Sequence, residues 1–156
     1  MAGDEWMLPY DDLLSNLNGL FEGERDPIAN AANTPATTWQ HLPDINWAGF
    51  YFLKGGELVL GPFHGKLACV RIALGKGVCG TAAAGKKTVV VLDVHKFPGH
   101  IACATASNFE IVVPLIRKRR LVSVLEIDSP SRDRFAEADR IDHEAMAAAY
   151  VAARDA

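Results

Sequence analysis

Two strand pairs with very short connections constrain this chain most. Residues 110–116 and 121–127 are its most apolar runs, and only the basic turn Arg117-Lys118-Arg119-Arg120 separates them. Earlier, residues 45–53 are rich in aromatic and apolar side chains. They turn at Lys54-Gly55-Gly56 into a second apolar run at residues 58–60. Connections of this length join antiparallel neighbours, because a parallel pair needs a crossover of a dozen residues or more. Any fold for this chain must therefore be built around antiparallel hairpins.

Helical segments bracket these strands. Leu8, Leu13, Leu14, Leu17, Leu20 and Phe21 recur at helical spacing. Asp26-Pro27 supplies a helix cap followed by proline at the first helical position. Pro35 is predicted to kink or divide that second helix, which ends near His41, before Pro43. Residues 136–153 form an alanine-rich amphipathic pattern with Ile141, Ala145, Met146, Ala149 and Ala152 on one stripe. Between the hairpins, residues 68–74 are predicted as a short strand carrying Cys69, 77–84 as a short helix and 88–92 as another strand. Residues 92–108 read as a long loop with His95, Pro98, Gly99, His100 and Cys103. Ser129-Pro130 ends the sheet. Helices, then hairpin-linked strands, then a helix is an α+β pattern with an antiparallel sheet. The 156 residues suit one domain that needs no disulfide staples.

Charge and hydropathy narrow the function classes. The net charge of -3 supplies no basic face for nucleic acid, and one basic turn reads as a solvated hairpin tip. No apolar stretch approaches the ~20 residues of a membrane span. The acidic start, Met-Ala-Gly-Asp-Glu-Trp, is not a signal peptide. A cytoplasmic location is expected, and there thiols stay reduced.

Cys69, Cys79 and Cys103 all lie in the middle of the chain, the last two in glycine- or histidine-rich surroundings. Gly75-Lys-Gly-Val-Cys-Gly80 formally matches a dinucleotide-binding turn. The helix that follows is too short for a comfortable parallel crossover, Asp93 comes too early, and no second βαβ unit follows. Its glycines permit a tight strand-to-helix turn, and amides at the helix start offer an anion site or a means of lowering the Cys79 pKa. A zinc site would draw on His64, His95, His100 and the cysteines, but only His100 and Cys103 approach the usual ligand spacing. Redox chemistry requires a thiolate in a polar loop and a second thiol within reach; Cys103 suits the first role and Cys69 the second. Residue chemistry alone leaves redox-active and inert cysteines both open.

A longer pattern bears on that choice. It comprises Ile45-Asn-Trp-Ala-Gly-Phe-Tyr51, Leu60-Gly-Pro-Phe-His-Gly-Lys66, Ala68-Cys-Val-Arg-Ile72, Gly75-Lys-Gly-Val-Cys-Gly-Thr-Ala82, Asp93-Val-His95, Gly99-His-Ile-Ala-Cys103, Ala106-Ser-Asn108, Glu110-Ile-Val-Val-Pro-Leu115 and Val124-Leu-Glu-Ile-Asp-Ser-Pro130. In this frame, running from about Asn46 to Phe135, the chain resembles the free methionine-(R)-sulfoxide reductases, single-domain enzymes of the GAF fold. The resemblance implies a six-stranded antiparallel sheet with helices packed on it. It makes residues 1–156 one GAF domain, with N-terminal helices over about 4–42, a catalytic core over about 45–130 and a C-terminal helix over about 136–153.

The resemblance also implies roles. Cys103 would attack the sulfur of free methionine-(R)-sulfoxide and become a sulfenic acid, and Cys69 would resolve it to an intramolecular disulfide. Cys79 stays open as alternative partner or attacker. Glu110 and Asp128 match carboxylates that contact the sulfoxide, and one of them would protonate its oxygen. Trp47 and Tyr51 fall on one strand face, which the resemblance makes the substrate cavity, with Trp47 against the methyl-sulfoxide end; from the residues alone they read rather as core aromatics. Glu126 is the candidate for the substrate ammonium, at a position where the family usually has aspartate. No bound cofactor or metal is expected. Thioredoxin, itself NADPH-linked, is the expected electron donor, in a role of oxidative-stress defence. A homodimer is expected, with neither a nucleic-acid nor a membrane partner.

Overall fold

Antiparallel pairing organises the whole molecule. The computed structural model describes residues 4–93, 97–98 and 109–154. After a short 3-10 turn at Asp4–Trp6 come helices α1 (Tyr10–Phe21) and α2 (Pro27–His41). Then follow strands β1 (Trp47–Lys54), β2 (Glu57–Gly65) and β3 (Arg71–Ala73), helix α3 (Gly77–Gly85), strands β4 (Val89–Val91), β5 (Phe109–Arg117) and β6 (Arg120–Ser129), and helix α4 (Glu137–Ala153). The strands form one six-stranded sheet in the order β3-β2-β1-β6-β5-β4, and every pairing is antiparallel. The two hairpins β1–β2 and β5–β6 thus lie side by side at its centre, joined through β1 and β6.

Period-two alternation sends successive side chains to opposite faces. Ala48, Phe50, Phe52, Ile111, Val113, Leu125 and Ile127 face one way. They form the main core with Leu13, Leu17 and Phe21 of α1, Ala31 of α2, and Met146, Ala147 and Tyr150 of α4. Trp47, Tyr51, Val91, Val112 and Val124 face the other way and pack against Val78, Cys79, Ala82 and Ala83 of α3. The sheet is therefore covered on both sides, by three helices on one and by the short α3 on the other.

Helix α2 starts where the residues dictate: the Asp26 carboxylate accepts from the amides of Ile28 and Ala29 at 2.9 and 2.8 Å, with Pro27 in the first position. Pro35 does not divide it; α2 runs to His41 as one element. Thr34 and Thr38 donate their hydroxyls to the carbonyls of Asn30 and Thr34, and with Pro35 they are buried. Burial of this face, on the side that meets β1 and β2, outweighs the one backbone bond that proline removes.

Two other expectations change. Cys69 is not on a strand: β3 begins at Arg71, and Cys69 sits in the connection from β2. Its apolar neighbours Leu67 and Val70 are exposed, so alternation there has no buried face to serve. The inward side of α4 is also rotated. His143, Met146, Ala147, Tyr150 and Ala153 are buried, whereas Ile141 points outward, 56% exposed. The aromatic groups decide that rotation: Tyr150 packs on Phe50 with ring centres 4.7 Å apart, and His143 meets Phe135 and Tyr10 edge-on. No helix among the described residues is long and apolar enough to cross a membrane.

Candidate active site

The sheet face beneath α3 gathers an acidic cluster. Glu110 of β5 pairs directly with Asp128 of β6, and Glu126 lies two residues earlier on β6, hence on the same face. Across β1, Trp47 pairs with Asp128 and Gly49 with Glu126. One oxygen from each of the three carboxyls falls within 4.8 Å of the others. Gly49 is what lets Phe63 and the Trp47 ring close over β1 here: a Cβ at this position would collide with Cβ of Phe63 and with the Trp47 ring.

Three carboxylates this close cannot all be ionised in a partly dry site. Burial, and then the neighbouring Glu126 charge, push Glu110 up to about 9. Glu110 therefore keeps its proton at neutral pH. Burial also raises Glu126, but hydrogen bonds to Cys79, Asp128 and Glu110 all work in the opposite direction, favouring its charged form. The arrangement sets the acidic proton of Glu110 beside a second carboxyl, Glu126, which burial raises on balance and which its hydrogen bonds draw back toward the charged form. Such a pair suits a group that needs protonation next to a cationic one, and the three oxygens are also near enough together for a hard cation.

Trp47 and Tyr51 share this face, their rings stacked with centres 6.1 Å apart, and Phe63 stacks on the far side of Trp47 at 5.3 Å. Their polar ends do work that the sequence did not disclose. The Trp47 indole donates to the Lys66 carbonyl at 3.1 Å, and the Tyr51 phenol donates to the Cys69 carbonyl at 2.8 Å. Both aromatics thus tie the Cys69 connection down to the sheet. Burial, and then the Glu126 charge, raise the Tyr51 phenol further, so it remains a donor. Period-two alternation and the family resemblance both group these two rings, but neither points to these bonds. Their bonds to a loop 18 or 19 residues away depend on how β2 returns along β1.

The cysteines divide into distinct states. Cys69 is disulfide-bonded. Cys79 is a buried free thiol on the first turn of α3. Cys103, like His95 and His100, lies outside the described residues. The helix start does not lower the Cys79 pKa as the glycine turn had suggested. Burial, and then the charges of Glu126 and Glu110, push the thiol well above its usual range. Its Sγ instead donates to Glu126 Oε2 at 3.0 Å.

The chain thus combines one antiparallel sheet covered by three helices on one side with an acidic cluster under a short helix on the other. The chain matches the GAF domain family over residues 16–153 and belongs to it. Within that class it is 53% identical to free methionine-R-sulfoxide reductase of Escherichia coli (strain K12) over 130 residues, 83% of this chain and 79% of that one. It is 43% identical to free methionine-R-sulfoxide reductase of Saccharomyces cerevisiae (strain ATCC 204508 / S288c), over 83% of this chain and 77% of that one. Among solved structures, the reduced form of fRMsr of Staphylococcus aureus superposes with a TM-score of 0.90 at 45% identity, covering 92% of this chain and 94% of that one. Free methionine-R-sulfoxide reductase from Neisseria meningitidis in complex with its substrate gives 0.89 at 41%, covering 92% and 87%. The chain is a member of the free methionine-R-sulfoxide reductase family.

Proposed function

We propose that the protein reduces free L-methionine-(R)-S-oxide to L-methionine by thiol chemistry. The observation that carries the reading is the Glu110–Glu126–Asp128 cluster on the sheet face beside an oxidised Cys69, in a chain that belongs to a family of such reductases. A sulfoxide oxygen leaves only when protonated, and Glu110 retains a proton at neutral pH. Asp128, its direct cross-strand partner, holds the second position at the oxygen. Glu126 is the anion for the substrate ammonium. Trp47 and Tyr51 floor the site and hold the Cys69 segment.

In the proposed reaction the Cys103 thiolate attacks the sulfoxide sulfur. The oxygen passes to Cys103 as a sulfenic acid, and methionine leaves with its sulfur reduced by two electrons. The Cys69 thiol then displaces water to give a Cys69–Cys103 disulfide. A dithiol donor of the thioredoxin type returns two electrons and two protons by exchange. The disulfide-bonded state of Cys69, with Cys79 left as a thiol, supports that choice of resolver. The thiols supply all the electrons, so no bound cofactor or metal is needed. The reading carries with it a homodimer and a cytoplasmic role against oxidative stress.

The experiment is single-turnover methionine release from the reduced protein, followed by chiral analysis of the remaining sulfoxide. Cys103→Ser abolishes release; Cys69→Ser allows one equivalent but blocks thioredoxin-driven cycling. Absence of release from the reduced wild type, or loss of the first turnover in Cys79→Ser alone, sinks the reading or its assignment of thiols respectively.

A further inference from the structure

Cys79 has no redox task in the scheme above, yet it is buried and its thiol proton is aimed at a site carboxylate. Sγ lies 3.0 Å from Glu126 Oε2, across from α3 to β6. The glycine turn sets this up: Gly77 adopts a left-handed φ of 61° at the helix start, and Gly80 packs so closely that a Cβ would strike the Ala73 carbonyl. Together they seat the first turn of α3 on the sheet, with Cys79 over β6.

The groups facing Glu126 can be named element by element. Helix α3 presents the Cys79 thiol, β5 presents Glu110, β6 presents Asp128, and β1 presents Tyr51. All are acids or weak donors, and among the described residues they include no cation. A carboxylate in such company holds its charge only through hydrogen bonds donated to it. The thiol is suited to that task, since its burial and the adjacent charges keep it as S–H at neutral pH.

We infer that Cys79 is a positioning residue: its thiol donates to Glu126, holds that carboxyl in place over the sheet and favours its charged form within the cluster. The inference rests on the proposed reductase reading for its catalytic consequence, though not for the hydrogen bond itself. Cys79 then contributes to substrate binding and to the division of charge, not to electron transfer.

The test compares Cys79→Ala, which removes the donor, with Cys79→Ser, which restores one. The Glu126 side-chain carboxyl is titrated by carbon-13 NMR, and steady-state kinetics are measured with free methionine-(R)-sulfoxide across pH. Cys79→Ala should raise the Glu126 midpoint and raise KM about fivefold, as one hydrogen bond of about 1 kcal/mol predicts, with kcat within about twofold. Cys79→Ser should return both toward wild type. An unchanged Glu126 midpoint in Cys79→Ala, or equal shifts in the two variants, overturns the inference. Should Cys79→Ala fail to fold, the S–H infrared band decides: it moves to higher frequency in Glu126→Gln if the bond exists, and stays in place if it does not. A wild type without turnover would refute the reductase reading, while the titration and the infrared band would still judge the thiol's role.

Discussion

Replacing Glu110 by Gln should make the protein more stable as it makes the proposed enzyme slower. In the folded chain Glu110 is buried and pushed up to about 9, whereas an exposed glutamate titrates near 4.5. At pH 7 the folded state therefore holds a proton that the unfolded state has released. For an acid whose pKa is raised by folding, stability is fully present below the unfolded value and is lost as pH rises toward the folded one. Between about pH 4.5 and 7, at 1.36 kcal/mol per unit, the cost reaches about 3 kcal/mol. Glutamine keeps the shape and a donor but cannot ionise, so it avoids that cost. For a domain of this length, about 3 kcal/mol corresponds to a rise in Tm of roughly 6–12 °C. The assay is thermal unfolding of both proteins at pH 5 and pH 7.5. The offset should be small at pH 5 and grow with pH. Methionine release should meanwhile fall at least about 100-fold, the usual contribution of a positioned acid. An offset of the same size at both pH values, or a variant less stable at pH 7.5, would show that Glu110 does not retain its proton.

His143 produces the opposite limb. It is fully buried in the main core, its Nδ1 lies 2.6 Å from the Asp139 carbonyl, and its Nε2 has no partner among the described residues. Burial lowers it to about 4, so its contribution is intact above about pH 6.5 and declines as pH falls toward 4, by about 3 kcal/mol in all. His143→Gln should flatten that acid limb, as urea midpoints at pH 7 and pH 4 would measure; parallel losses in both proteins would contradict it. At the β5–β6 turn, Lys118 and Arg119 adopt left-handed φ of 49° and 66°. The pair Lys118→Asn with Arg119→Gly suits that turn and should add about 1 kcal/mol, read as a higher urea midpoint with unchanged slope.

The sheet was legible because short turns and period-two alternation are local signals. The turns after Leu53 and Ile116 forced two antiparallel hairpins, and the aromatic run over Trp47–Lys54 already separated Trp47 and Tyr51 from Ala48 and Phe50. The α4 stripe was not, because alanine is apolar on every side of that helix. The rotation is set by the aromatic rings of Tyr150 and His143, which pair with Phe50, Tyr10 and Phe135 from distant segments. Cys69 falls in an expected strand for a related reason: apolar residues beside it suggest alternation, whereas in the fold β2 has ended at Gly65 and Leu67 and Val70 lie exposed.

The site divides along the same line. Glu110, Glu126 and Asp128 are nominated by the family resemblance, position by position; from the residues alone Glu110 and Asp128 read equally as solvated strand-end acids. Their meeting depends on the β5–β6 register, in which Glu110 opposes Asp128 and Val112 opposes Glu126. A shift of one residue would send either strand's acids to the opposite face, into the hydrophobic core against α1 and α4. The turn that sets this register is the strained basic one at Lys118-Arg119, about eight residues from the acids along each strand and, at roughly 3.4 Å per residue, some 25 Å away. The irregularity between Leu115 and Ile116 absorbs one extra residue of β6 before the ladder reaches the site. Register at the far end of the hairpin thus governs whether the proton of Glu110 and the charge of Glu126 share a cavity. That dependence explains why the cluster is exact in the fold, yet invisible to any reading confined to neighbouring residues.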